Sequence, residues 1–225
     1  MFHKLLNMVY KRNKAQDFSP EMVKFYEDFT FFSSRLSSDR GFLCTKSTLA
    51  PRLTDATAIT GYDNDYLGHA AWATRAIQAI NPDFHTDFAS NLYFVAMLSA
   101  FVPTKFYDYR PPSLNFTNLE VDFVNMTNMP FHDASLPCVS SLSVIEHIGL
   151  GRYGDQLDPD GDLKAINEIK RITQKAGSVL INVPIGKSPL IAFNAHRIYS
   201  KEQIEDLFSG FILKDFSFLD RKSVV

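Results

Sequence analysis

Residues 84–110 read FHTDFASNLYFVAMLSAFVPTKFYDYR, and this stretch decides the fold class. Phe84–Ala89 is a short apolar strand candidate. Asn91–Phe101 has helical spacing until Pro103 stops it, and Lys105–Tyr109 is a second strand candidate, closed by Pro111-Pro112. A strand, a helix and a strand in that order form a crossover between parallel strands. Upstream, Leu67–Ile80 is helical and ends at Asn81-Pro82. Downstream, Leu119–Val124 and Val139–Ile145 read as strands. Asp162–Gln174 follows as an amphipathic helix with a stop at Gly177, and Ser178–Val183 as a fifth strand. Ser200–Phe208 is a helix capped by its serine, and Phe211–Leu219 a final strand. The alternation predicts an α/β fold: an open, mostly parallel, doubly wound sheet with helices on both faces.

Residues 1–62 depart from that pattern. Ser19-Pro20-Glu21 is a helix start, with the serine as N-cap and the proline in the first turn. The helix runs on through MVKFYEDFTFFSSRL, and residues 39–60 look irregular. We read residues 1–62 as a helical extension or cap and 63–225 as the α/β domain, with a strand of its C-terminal edge expected to be missing, supplied by the extension or lost by truncation. With 45% hydrophobic and 21% charged residues, the chain is far from a disordered composition. Its net charge of −2 lacks the basic footprint of a general nucleic-acid binder. The start MFHKLLNMVYKRNK has its basic residues after a short apolar run, unlike a signal peptide. The longest apolar run, Leu92–Val102, is half the span of a bilayer, so no stable membrane insertion is expected. Two cysteines, Cys44 and Cys138, are too few for a disulfide scaffold and read as thiols of a cytoplasmic protein.

In sheets of this kind ligands bind beyond the carboxyl ends of the strands. The first strand ends in Asp87, followed by the small residues Ala89 and Ser90 opening a helix, the general form of a nucleotide-binding turn. The second ends Tyr107-Asp108-Tyr109-Arg110, and Asp108 stands 21 residues after Asp87, a spacing suited to a carboxylate on ribose hydroxyls.

The segment NMTNMPFHD (residues 125–133), the Glu146-His147 pair after the fourth strand, and KAGSVLINVP (175–184) resemble the motifs of a class I S-adenosylmethionine-dependent methyltransferase. Longer strings are narrower. EHIGLGRYGD (146–155), DGDLKA (160–165) and FNAHRIY (193–199) resemble the family called domain of unknown function 268, which is methyltransferase-like. The resemblance covers about residues 50–220. It implies a Rossmann-like fold, a transferase activity and S-adenosylmethionine as cofactor, held by Asp87, Ala89, Ser90, Asp108, Tyr109, Asn125 and Met126. The methyltransferase turn is D-x-G-x-G-x-G, whereas here its glycine positions hold Ala89, Asn91 and Tyr93. Tyr93 should crowd the cofactor unless its ring turns into the core. Asn125, where the family pattern has an acid facing the adenine amine, keeps an oxygen that can accept.

Residues 146–162 are dense in ionisable groups and glycine. His147 has the side chain nearest to a neutral-pH base and is expected to deprotonate or orient the nucleophile. Arg152 and Arg197 are expected to clamp an anionic group of the substrate. Glu146, Tyr153, Asp155 and His196 complete the candidate catalytic set. Asp160 is expected to cap the helix that follows. His85, Asp87, His147, Asp155 and His196 lack the spacing of metal ligands, so no metal is expected. The substrate is expected to be a small molecule or a glycan, the latter in surface-glycan metabolism. The alternatives are a binding protein of the same fold that has lost methyl transfer, and an enzyme acting on a nucleotide-activated sugar.

Overall fold

The computed structural model of the chain describes residues 19–37, 39 and 41–218. The start MFHKLLNMVYKRNK lies outside them. The chain divides into two compact units, Met1–Gly61 and Tyr62–Val225. In the first, helix α1 (Pro20–Arg35) begins where Ser19 accepts a hydrogen bond from the Met22 amide. The serine cap and the early proline thus act together to start it. Beyond it the described residues are irregular apart from a short 3₁₀ turn at Lys46–Thr48.

The second unit is built on helix α2 (Asn64–Ile80) and five strands: β1 (His85–Phe88), β2 (Thr104–Asp108), β3 (Leu119–Phe123), β4 (Leu136–Leu142) and β5 (Thr173–Asn182). All pair in parallel, in the order β3-β2-β1-β4-β5. Helix α3 (Leu92–Leu98) crosses from β1 to β2, and helix α4 (Gly161–Ile172) from β4 to β5. One core lies on the α2 and α3 face, with Ala73, Ile77, Phe94, Val95, Leu98 and Phe106. The other lies on the α4 face, with Phe88, Val139, Ile145, Ile166, Ile169 and Ile172. The doubly wound arrangement is therefore as the alternation predicts. A hairpin of β6 (Leu190–Ala192) and β7 (His196–Ile198) and helix α5 (Lys201–Leu207) follow.

Two local expectations are corrected. Residues 211–218 form no strand: Ile212, Leu213, Phe216 and Phe218 are exposed, no ladder pairs them, and Asp215 accepts from the Trp72 indole at 2.8 Å. Leu219 lies outside the described residues. Helix α4 also ends at Ile172, and the chain enters β5 at once, with a register shift between Leu136 and Cys138 of β4. Here Ala176, not Gly177, takes the left-handed backbone, at φ 64°. Gly177 is needed for space: a Cβ on it would stand 2.9 Å from the Gln174 carbonyl oxygen and 3.0 Å from that of Pro137 on β4. Ala176→Gly should therefore raise stability by up to ~1 kcal/mol, the strain of an alanine at positive φ less the extra entropy of glycine when unfolded. Gly177→Ala should lower it by about 1–3 kcal/mol. Denaturant unfolding of the two variants checks this, and equal effects would refute the division of labour.

Candidate functional site

The strand order reverses between β1 and β4, and a cleft of about 720 Å³ opens beyond the carboxyl ends of β1, β2, β3 and β4. Its position is the one that doubly wound sheets use for ligands, and its volume suits a small molecule. Two wall residues, Ala89 after β1 and Ser143 after β4, have left-handed backbones at φ 58° and 57°. Ala89 thus adopts the conformation that glycine favours at this turn. Tyr93 does not crowd the cleft and does not turn into the core. It is 79% exposed, with Asn91 accepting from its amide as the cap of α3.

Asp87 is fully buried and does not line the cleft. One carboxylate oxygen accepts from the Ser90 amide at 3.0 Å, the other from the hydroxyls of Ser90 at 2.7 Å and Ser140. With the Ser140 proton directed at Asp87, Ser140 can only accept from His85 Nε2, at 2.8 Å. His85 Nδ1 is then the acceptor for the Cys138 thiol at 3.2 Å. Burial pushes Asp87 up to about 6, His85 down to about 3 and Cys138 up to about 12. Asp87 is thus a buried organiser, not a direct ligand contact. Ser90 reaches the cleft, but its hydroxyl already donates to Asp87 and accepts from the Leu142 amide.

The β2 and β3 ends form the other wall. Asp108 lines the cleft half-buried, and its Oδ1 accepts from the Arg110 amide at 2.7 Å, while its second oxygen has no hydrogen bond among the described residues. Tyr109, Val124 and Met126 give apolar surface on either side. Asn125 lines the cleft, but its side-chain oxygen accepts from both the amide and the hydroxyl of Thr127. Its expected acceptor role is therefore already filled, and its amide nitrogen is the part left to a ligand.

Beyond β4, Ile145–His147 makes a 3₁₀ turn and residues 148–160 a compact loop. Asp155 organises this loop, accepting from the amides of Gly149 at 2.7 Å, Gly151 and Tyr153. Gly149, at φ 80°, passes so near Asp158 that a Cβ would overlap its carbonyl oxygen. His147 lines the cleft, with Nδ1 2.6 Å from the Ala195 carbonyl oxygen. That contact requires the proton on Nδ1 and leaves Nε2 with its lone pair. Burial lowers the His147 pKa, so the ring is neutral near pH 7. Glu146 is 2% exposed, its Oε1 is 3.7 Å from His147 Nε2, and its Oε2 is buried without a partner. Burial raises it to about 7.

Arg197 does not face the cleft. It is 4% exposed, pairs with Asp162 at 3.4 Å, and donates to the carbonyls of Ile148 and Pro159. The expected anion clamp is thus a structural one, fastening the loop to the β6–β7 hairpin. Arg152 is exposed and donates to the Ala195 carbonyl at 3.1 Å, with its guanidinium 5.1 Å from the Tyr153 ring centre. His196 stands behind His147, ring centres 6.2 Å apart, and does not line the cleft. Asp160 precedes α4, but its side chain makes no cap bond. Among the described residues no group of three or more His, Cys, Asp or Glu could hold a metal ion, and no helix is long and apolar enough to cross a membrane.

The sequence reading overlooked Tyr66 on α2 and Arg110 after β2, both in the cleft wall. Arg110 had a signal, since it follows the β2 acid directly. Tyr66 had none, because a helix preceding the first strand is not an obvious wall of the site.

Comparisons with known proteins agree with the fold. The YcgJ protein from Bacillus subtilis aligns with 64% of this chain and 67% of its own at 14% identity and a TM-score of 0.51. An S-adenosylmethionine-dependent methyltransferase from Thermotoga maritima aligns with 63% of this chain and 68% of its own at 17% identity and a TM-score of 0.42. Among curated proteins none matches. The likeness to YcgJ is one of fold, a Rossmann-like α/β sheet. The family described as "Caenorhabditis protein of unknown function, DUF268" matches residues 102–224, from just before β2 through the cleft loops and the hairpin, and to this family the chain belongs.

Proposed function

We propose that this chain is an S-adenosylmethionine-dependent methyltransferase acting on a small molecule or the end of a glycan. The observation that carries the reading is one cleft with Asp108 on one wall and a neutral His147, fixed by the Ala195 carbonyl, on another. The residues fit the cofactor. Asp108 offers a carboxylate oxygen to ribose hydroxyls, Tyr109, Val124 and Met126 offer apolar surface to the base, and Ala89 keeps the turn close. When bound, the cofactor supplies an electrophilic methyl group. His147 Nε2 takes the proton of an acceptor hydroxyl or amine as that atom becomes the nucleophile. The Nδ1–H bond to Ala195 holds the ring in place and stabilises the imidazolium that results. Glu146, beside Nε2, is the positioning residue: its carboxyl loses its own proton more readily once His147 is charged.

Asp108→Ala should weaken binding of S-adenosylhomocysteine by about 1–3 kcal/mol in calorimetric titration, the scale of lost charge-assisted hydrogen bonds. Unchanged affinity, or no binding by the wild type, would remove the reading. With methyl-labelled cofactor and an extract of small metabolites, His147→Asn should lose roughly 10²–10⁴-fold in transfer rate while its melting temperature holds. Wild-type transfer by a folded His147→Asn protein counts against the base.

The buried Glu146 carboxyl has its pKa raised on folding, so the native state binds its proton more tightly than the unfolded chain does. Its contribution to stability is full below about 4.5 and is lost as pH rises through about 7. Glu146→Gln removes that dependence. The stability difference between wild type and variant should shift by about 3 kcal/mol in favour of the variant between pH 4 and pH 8. Urea unfolding at several pH values reads this, and a flat difference would show that Glu146 is not held neutral.

A further inference from the structure

We propose that Arg110 and Arg152, gathered on the ring of Tyr153 beside the cleft that Arg110 and Tyr153 line, form a subsite for the phosphate or carboxylate group of the methyl acceptor. The subsite rests on the methyltransferase reading only in being assigned to the methyl acceptor. The Arg110 guanidinium carbon is 4.9 Å from the Tyr153 ring centre and that of Arg152 is 5.1 Å, so the two lie within 10.0 Å of each other. They come from different elements, Arg110 from the β2 end and Arg152 from the loop after β4. Both are exposed, and among the described residues neither pairs with a carboxylate.

Two cations gathered on one ring repel each other, and an aromatic face offsets only part of that. The nearby acids do not neutralise them. Asp155 accepts loop amides, Asp158 pairs with Lys164, Asp108 receives the Arg110 amide, not its guanidinium, and Glu146, which feels the charge of Arg152, is buried beside His147 and makes no ion pair with either arginine. An anion seated between two guanidinium forks completes the arrangement. Arg152 and His147 share the Ala195 carbonyl as acceptor, so the anionic group is held next to the base.

The test titrates pyrophosphate and malonate separately into the full chain by calorimetry. Each should bind saturably to the wild type and at least about tenfold more weakly to Arg110→Met and to Arg152→Met. Arg152→Lys should recover only part, because lysine keeps the charge and lacks the fork. Arg75→Met, at an exposed arginine on α2, should change nothing. Arg110 is exposed and its guanidinium makes no hydrogen bond among the described residues, so Arg110→Met keeps the test open should Arg152→Met fail to fold. Absence of saturable anion binding, or unchanged binding in the methionine variants, overturns the subsite. The cofactor's own carboxylate is distinguished by parallel titration of S-adenosylhomocysteine and 5′-methylthioadenosine, which lacks it. If the methionine variants weaken the first by about tenfold or more and spare the second, the assignment to the acceptor is overturned. A wild type that binds the anions through these arginines but not S-adenosylhomocysteine supports the subsite and refutes the methyltransferase reading alone.

Discussion

The carboxylate of Asp87 sits where β1 passes β4, opposite Ser140 in the parallel register, with no access to water. A carboxylate there loses its hydration, which costs several kcal/mol unless other donors replace it. Three do: the amide and hydroxyl of Ser90 and the hydroxyl of Ser140. Ser90 in turn accepts from the Leu142 amide, so one side chain fixes the last turns of two strands that are far apart in sequence. Both strands then leave the sheet through left-handed residues, Ala89 and Ser143, and the cleft opens between them. Without that polar knot neither turn has a reason to hold its shape.

The loop after β4 is a second level of the same construction. The charges on it and around it are divided by burial. Arg197 and Asp162 are inside, bonded to each other, with further carbonyls of the loop on the arginine and the Tyr199 hydroxyl on the aspartate. Asp155 gathers amides, and a side chain larger than hydrogen at Gly149 would displace Asp158. With the loop fastened from within, the groups on its outer side, His147, Arg152 and Tyr153, are positioned without being enclosed.

Strand–helix alternation made the sheet readable because fully buried parallel strands are near-continuous apolar runs, as in LPCVSSL of β4. The carboxyl-end rim followed, since chain direction alone places Asp108 and His147 there. What the sequence did not disclose was which polar residues look inward. Asp87 and Asp108 are alike as acids at strand ends, and only the pairing with β4, which sets Ser140 opposite Asp87, buries one of them. Arg152 and Arg197 are equally plausible as clamps until β7 carries the second beneath the loop. The apolar stretch at 211–218 satisfies local strand propensity, yet a strand exists only where a ladder receives it. The helix stop expected at Gly177 was misplaced for a related reason: that glycine lies within β5 and answers to the carbonyl of a neighbouring strand, not to its own dihedral.

One oxygen atom, the Ala195 carbonyl, receives both His147 Nδ1 and an Arg152 nitrogen. It belongs to the connection between β6 and β7, and not to the sheet. The hairpin is therefore a common lever for a proton acceptor and a cation. Withdrawing it would free the imidazole to rotate and release the guanidinium in a single movement. Seating it restores both at once, so that readiness at the imidazole and grip at the guanidinium cannot be set independently.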